Sequence, residues 1–219
     1  MKKILKLDLH VHSILSHDGG ISEEQIERTL SSNTLNYIAI TDHNEIEFAL
    51  KMNSKFGKKI IVGEEILTKD GEIIGLFLKE KIKKGLTLEE TVSVIKKQGG
   101  LCFVPHPFST RRHGIGEENL FKIFKSIDLI EGFNARAIVG ISNSSAMKFA
   151  KRTGIPFGVG SDAHSMSGLG RTFNLINEEP TKNNLIELIK SAEFVVKRSK
   201  FREYFAPKYN KIKKIINKK

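Results

Sequence analysis

The chain of 219 residues has one cysteine, Cys102, so it can form no disulfide within itself. That excludes a small scaffold stapled by cross-links and suits a reducing compartment. It also lacks any run approaching the roughly 18 apolar residues that a membrane span needs. The opening Met1-Lys2-Lys3-Ile4-Leu5 resembles the charged start of an export signal, but Lys6, Asp8 and His10 break the apolar stretch that would have to follow. A cytoplasmic protein with no membrane contact is the expectation. No internal repeat, low-complexity linker or Pro/Gly-rich boundary interrupts the chain before its last two dozen residues. With 39% hydrophobic and 28% charged residues, the composition is that of one globular domain with a sizeable core, not a disordered or collagen-like chain.

What is abundant is positive charge, +11 in all, and its location matters more than its sum. Residues 197–219 carry ten Lys or Arg against a single acid, Glu203, while the preceding 196 residues hold 26 basic and 24 acidic side chains. The basicity therefore belongs to a C-terminal segment. The expected organisation is a domain over 1–199 followed by a basic tail over 200–219. Phe201, Tyr204, Phe205 and Tyr209 interleave with the tail's lysines, a mixture that suits weak nucleic-acid contact through stacking and phosphate pairing. Deleting the tail is expected to spare hydrolysis of small substrates, provided the segment does not also hold the fold together.

Short runs rich in Ile, Val and Phe alternate with stretches of helical period. Strands are predicted at 6–12, 37–43, 59–67, 72–79, 101–106, 129–134 and 156–161, with weaker signals at 173–176 and 194–197. Helices are predicted at 22–33, 45–57, 87–99, 117–127, 143–154 and 182–193. Ser22 with Gln25, and Thr87 with Glu90, have the spacing of capping boxes. Gly57, Gly99 and Gly154 stand where helices should stop. The alternation predicts an α/β protein with a parallel sheet.

Five of the seven histidines fall at or next to the predicted C-terminal strand ends: His10, His12, His43, His106 and His164. Carboxylates accompany them as Asp8, Asp18, Asp42, Glu64-Glu65 and Asp162. In parallel α/β proteins those strand ends converge on one face, where active sites are built. Residues i and i+2 of a strand point the same way, so His10 and His12 can chelate one ion. Imidazole and carboxylate without thiolate suit Zn, Mn or Fe. The ligands outnumber what one ion takes, which points to two or three divalent ions bridged by a carboxylate. Asp8 and Asp42 are expected to orient neighbouring imidazoles, His17 and His113 to be solvated loop residues, and Cys102 to lie in the core.

The segments DLHVHSILSHDGG, ITDHN, IVGEEI, FVPHPF and VGSDAHS resemble, in order, the motifs of the PHP (polymerase and histidinol phosphatase) family. The stretch from IEGFNARAIVG to GSDAHSMSGLGRT resembles its short, stand-alone phosphoesterase branch. The resemblance implies a distorted, TIM-like (β/α)7 barrel with a metal site at the C-terminal strand ends. It also implies the ligand sets: His10, His12, Glu65 and Asp162 for one ion; Glu65 as a bridge with His106 for a second; Asp18, His43 and His164 for a third. Many family members have a histidine just before the glycine of the strand written here Glu72-Ile-Ile-Gly-Leu. This chain has none, so either Glu72 substitutes or the second ion has fewer ligands.

The activity expected is metal-dependent phosphoester hydrolysis, with a hydroxide generated on the ions attacking phosphorus and His164 or Asp162 managing the proton. The substrate expected is a small phosphorylated molecule, nucleotide-like or a short oligonucleotide. Arg111, Arg112 and Arg136 follow strand ends and can present forked donors to a phosphate. Amidohydrolase-type C–N hydrolysis and a non-catalytic binding module are the alternatives.

Overall fold

The computed structural model describes residues 4–137 and 140–217. Nine strands are hydrogen-bonded in one sheet: β1 (Leu5–Val11), β2 (Tyr37–Ile40), β3 (Ile60–Leu67), β4 (Glu72–Leu76), β5 (Leu101–Val104), β6 (Leu129–Asn134), β7 (Phe157–Gly160), β8 (Phe173–Ile176) and β9 (Glu193–Val195). Their order is β7-β6-β5-β4-β3-β2-β1-β8-β9. The sheet curls so that its first and seventh strands meet, giving a nearly closed barrel with β8 and β9 as an antiparallel extension.

The expected all-parallel pattern holds for β1–β2–β3 and β5–β6–β7 and fails at β4, which runs antiparallel to both neighbours. The reason is the connection. Only four residues separate Leu67 from Glu72, enough for a hairpin turn and far too few for the crossover a parallel pair requires.

The helices are α1 (Glu23–Ser31), α2 (Glu47–Phe56), α3 (Leu88–Lys97), α4 (Gly116–Lys122), α5 (Gly140–Thr153), α6 (Leu185–Lys190) and α7 (Phe201–Ile216). Both expected capping boxes form, at Ser22 and Thr87. Gly57, Gly99 and Gly154 all have positive φ where helices end, a conformation that costs glycine nothing. The unexpected element is α7. Residues read from the sequence as a basic tail form a sixteen-residue helix packed on the body, with Glu203 and Ala206 buried.

Strand alternation divides the core. Leu7, Leu9, Ala39, Ile61, Phe103 and Leu129 form one cluster, to which α6 adds Leu185, Leu188 and Ile189. Ile38, Ile40, Val62, Val104 and Ile130 point the other way and pack under the helices with Ile26, Met52, Val92 and Phe149. Burial pushes the Cys102 thiol up to about 12, so it is an inert core residue. The two acids of β3 separate by the same alternation. Glu65 faces the barrel mouth, whereas Glu64 is buried on the opposite side and accepts from Ile82 N at 2.8 Å, its other oxygen unpaired. Burial raises the Glu64 carboxyl to about 7.

The seam between β1 and β7 has few ladder bonds and is stitched by side chains. Asn174 on β8 donates to Leu7 O (3.0 Å) and Val159 O (2.9 Å) and accepts from Val159 N (3.0 Å). Asp8 accepts from Ser161 N at 3.0 Å, and His12 N donates to Ala163 O at 2.9 Å.

Two predictions follow from these buried polar groups. Asn174→Ala strips three hydrogen bonds from the seam and should cost about 2–4 kcal/mol, because a buried group left unpaired bears its full desolvation penalty. Urea unfolding measures it, and a loss below about 1 kcal/mol would show that the seam does not depend on this side chain. For Glu64 the folded carboxyl keeps a proton that the unfolded chain, with its ordinary value of 4.5, has released. Unfolding therefore releases a proton between about pH 4.5 and 7, and stability falls as pH rises through that window. Glu64→Gln should reduce that slope without abolishing it, since burial also raises Asp8 to about 7. An unchanged slope would assign the proton elsewhere.

Candidate metal centre

His10 and Glu65 lie within β1 and β3 and Glu72 opens β4, whereas three other strands stop just short of their polar residues and leave them on the following loops. β2 ends at Ile40 before Asp42 and His43, β5 at Val104 before His106, and β7 at Gly160 before Asp162 and His164. His106 (φ 27°) and Asp162 (φ 51°) both take up left-handed backbone conformations that non-glycine residues rarely adopt. Such strain persists only where the surroundings impose it, and it concentrates at functional sites.

On β1 the register against β2 shifts between Asp8 and Val11. Leu9 and His10 consequently both face β7: a Cβ on Gly158 would press on Leu9, and one on Gly160 would collide with His10 and Glu131. Glycine at 160 is what lets that carboxylate and imidazole sit against the strand.

The centre is Glu65. Its Oε2 lies 3.4 Å from His10 Nε2, 3.3 Å from His12 Nε2 and 3.2 Å from His43 Nδ1, while its Oε1 lies 3.0 Å from His106 Nε2. His10 Nε2 and His12 Nε2 stand 3.0 Å apart, and Asp162 Oδ1 is 3.8 and 3.4 Å from them. Glu72 approaches His43 (3.3 Å) and His106 (3.8 Å). On the far side Asp18 Oδ2 lies 3.3 Å from His164 and 3.7 Å from His43. All nine residues singled out in the sequence as ligands are thus brought together. They form overlapping groups able to hold an ion: His10, His12 and Glu65; His43, Glu65 and Glu72; His12, Asp18, His43 and His164; and His10, His106 and Asp162.

The charge balance fits cations. Burial alone would raise Glu65, yet His43 and His10 hold its carboxyl well below the ordinary range. Asp162 is likewise held down against burial, by Arg136, His10 and Arg112, and Asp18 by His164 and His43. The same carboxylates overcome the effect of burial on His10, His12 and His43, whose affinity for protons rises, to about 10 for His43. With protein groups alone, protons on the imidazoles supply the positive charge that buried carboxylates demand. Divalent ions would displace those protons and supply the same charge. His164 differs: burial, Arg136 and His12 lower it to about 3, so it stands neutral near pH 7.

Tautomers fit as well. Glu131 Oε1 accepts from His10 Nδ1 at 3.0 Å, which leaves Nε2 facing the cluster. His164 Nδ1 lies between Asp162 O at 2.9 Å and the Arg136 guanidinium at 3.0 Å, and its Nε2 faces Asp18. A carboxylate or carbonyl behind a ligating imidazole is the usual orienting arrangement.

Glu131 was not singled out in the sequence, although a lone acid inside the apolar run Leu129–Phe133 was the signal available. Asp8 and Asp42 do not orient rings. Asp8 holds the backbone N–H groups of His10 and Ser161, and Asp42 accepts from the Ser13 N–H and hydroxyl. Both are tied to loops because only backbone and hydroxyl donors reach them.

The arginines divide. Arg112 pairs with Asp162 and donates to Asn134 Oδ1 (2.8 Å), and Arg136 meets Asp162 Oδ1 at 3.1 Å. Arg111 has no partner among the described residues and lines a cavity of about 320 Å³ with the metal-site side chains. His17 and His113, expected to be plain solvated residues, line that cavity too. All three arginines also border an adjoining cavity of about 350 Å³ with Phe108, Ile141 and Tyr204.

The C-terminal helix walls the site. Glu203 is fully buried and accepts from His164 N (2.6 Å), Ser165 N (2.9 Å), Ser165 Oγ (2.6 Å) and Ser167 Oγ (2.6 Å). Asn210 donates to Asp18 O and His164 O, and Lys214 to Ser16 O and Gly19 O. Pro207 and Lys211 line the metal cavity. This segment thus holds the loops that carry His164 and Asp18.

Comparison with known proteins agrees with this geometry. Residues 140–194 match the family model described as PHP-associated. An uncharacterized protein of Methanocaldococcus jannaschii is 38% identical over 156 residues, spanning 65% of this chain and 90% of its own length. Among solved structures, a two-domain Bacteroides vulgatus protein containing a predicted PHP-like metal-dependent phosphoesterase superposes with a TM-score of 0.68, at 18% identity over 95% of this chain and 70% of that one. Endonuclease Q, solved with a 27-mer duplex bearing an abasic lesion at its active site, gives a TM-score of 0.60 at 18% identity over 87% of this chain and 58% of that one. With its nearly closed barrel and its His/carboxylate cluster at the strand ends, the chain belongs to the PHP family.

Proposed function

We propose that this chain is a metal-dependent phosphoesterase acting on a small, nucleotide-like phosphate ester or the end of a short oligonucleotide. The observation that carries the reading is Glu65, one buried carboxylate with an imidazole from four separate positions within 3.4 Å. In this reading His10, His12, Glu65 and Asp162 hold one divalent ion, Glu65, His106 and Glu72 a second, and Asp18, His43 and His164 a third. Such ions, of Mn, Zn or Fe, supply Lewis acidity toward phosphoryl oxygens and an acidified water as nucleophile.

The chain's own residues do the rest. Arg111, free of any partner among the described residues, is available to a phosphate oxygen at the cavity rim. Arg112 and Arg136 neutralise the outer side of Asp162 and fix its direction. Neutral His164 and ionised Asp162 hold no proton to give near pH 7, so they can only accept the one released as water attacks, and a solvent water protonates the leaving oxygen. The adjoining cavity, with Phe108, Tyr204 and Ile141 on its walls, suits a flat and largely apolar leaving group such as a nucleoside.

The test is metal analysis paired with a substrate panel in Mn²⁺ and Zn²⁺: nucleoside monophosphates, bisphosphonucleosides, short oligonucleotides, histidinol phosphate and a carboxamide control. Two or three metals per chain and release of phosphate are expected. Glu131→Gln should weaken metal affinity by about 10–100-fold, as loss of an orienting partner does. Arg111→Ala should raise KM with a smaller effect on kcat. Hydrolysis of the carboxamide with no action on any phosphate ester, or less than one metal per chain, would overturn the reading.

A further inference from the structure

Helix α7 is amphipathic the wrong way round for a helix that packs on a protein. Its inner face, Glu203, Pro207, Asn210 and Lys214, is polar or helix-breaking and is spent on the loops around the metal centre. The outer face is apolar. Phe201, Phe205, Tyr209, Ile212 and Ile216 follow one another at intervals of three or four residues, so they form a single row along the helix. They are 76%, 54%, 65%, 49% and 64% exposed, and Ile215 beside them is 63% exposed. Scattered apolar residues on a surface need no explanation, but a continuous row of six does.

The charges around the row select its partner. Arg202 and Lys213 flank it on one side, Lys208 lies within it, and Lys200 precedes it. Apart from Glu203, buried on the opposite face, the helix carries no acid. A second copy of the chain would bring like charges together and set Lys208 into the seam. A nucleic acid would use the rings but leave three isoleucines without a role, and Phe201 and Phe205 already pack edge-on to one another at 5.0 Å. A protruding helix with Phe and Ile outward and long basic side chains beside them matches an anionic lipid surface. The rings and branched chains enter the headgroup boundary while the lysine stems reach back to the phosphates.

We propose that α7 docks the protein on an anionic bilayer, lying in the plane of the interface. No helix among the described residues is long and apolar enough to cross a membrane, so the contact is peripheral. Tyr204 and Lys211 sit about a quarter-turn round the helix from the row and border the two cavities of the metal centre. A docked molecule would therefore hold its site beside the bilayer with the mouth still open. The proposal stands whether or not the catalytic reading is right.

The test is co-sedimentation of the full chain with phosphatidylcholine vesicles, with and without phosphatidylglycerol. Binding is expected only to the anionic vesicles and should weaken as salt is raised. Phe205→Ser combined with Ile212→Ser should weaken it by about tenfold or more while thermal stability and metal content stay unchanged. Lys208→Glu with Lys213→Glu should weaken it as well. Absence of binding to anionic vesicles overturns the proposal, as does binding that the serine variant leaves intact. A concentration-dependent dimer in light scattering that the serine variant abolishes, or single-stranded DNA binding that it abolishes, would assign the row to a second copy or to nucleic acid instead.

Discussion

A carboxylate buried among imidazoles is the constraint to which the rest of this structure answers. Glu65 is 1% exposed, and a charge so placed is tolerable only if compensating groups are held close on every side. The compensation comes from strands far apart in sequence, so each must end at the right height and present its loop inward. The register shift in β1, the hairpin that reverses β4, and the left-handed backbone at His106 and Asp162 are local departures from regularity. Each aims a polar side chain at the same few ångströms. Beneath them a cluster of Leu, Ile and Phe provides the rigid floor, which requires nothing of the ligands except that they stay above it.

The ligand constellation was legible because its signal is local: a His-x-His spacing or an Asp-x-His spacing survives without knowledge of the fold. What stayed hidden depends on partners distant in sequence. Glu131 is one acid in an apolar strand, and its meaning comes from His10, 121 residues away. The antiparallel direction of β4 follows from loop length, which was readable, but alternation with helices elsewhere favoured a uniform parallel sheet. Asp8 and Asp42 sit beside histidines in sequence, and proximity along the chain suggested ring partners. Asp8 is taken up by the N–H groups of His10 and Ser161, and Asp42 by Ser13, so nearness in sequence was the weaker guide.

The C-terminal segment shows how a sum of charges can mislead. Its ten cations invited a reading as a basic tail suited to weak nucleic-acid contact, and its single acid, Glu203, entered only the charge count. That acid is the residue that docks the segment, accepting four hydrogen bonds from the loop that carries His164. A carboxylate buried this completely is costly to keep unless it has partners, and here the partners are backbone and hydroxyl donors. Asn210 and Lys214 extend the attachment to the loop that carries Asp18.

The attachment also explains why the helix is inside out. The surface it covers is made of loop carbonyls, N–H groups and serine hydroxyls, not the apolar face of a sheet. A helix serving that surface must turn polar residues inward, so its apolar residues are left to face outward. The metal centre thus imposes the exposed row at one remove: loops organised around buried charge call for a polar wall. Whatever covers the row then rests on a helix whose other face touches the loops of Asp18 and His164, and the two surfaces of the molecule share one structural element.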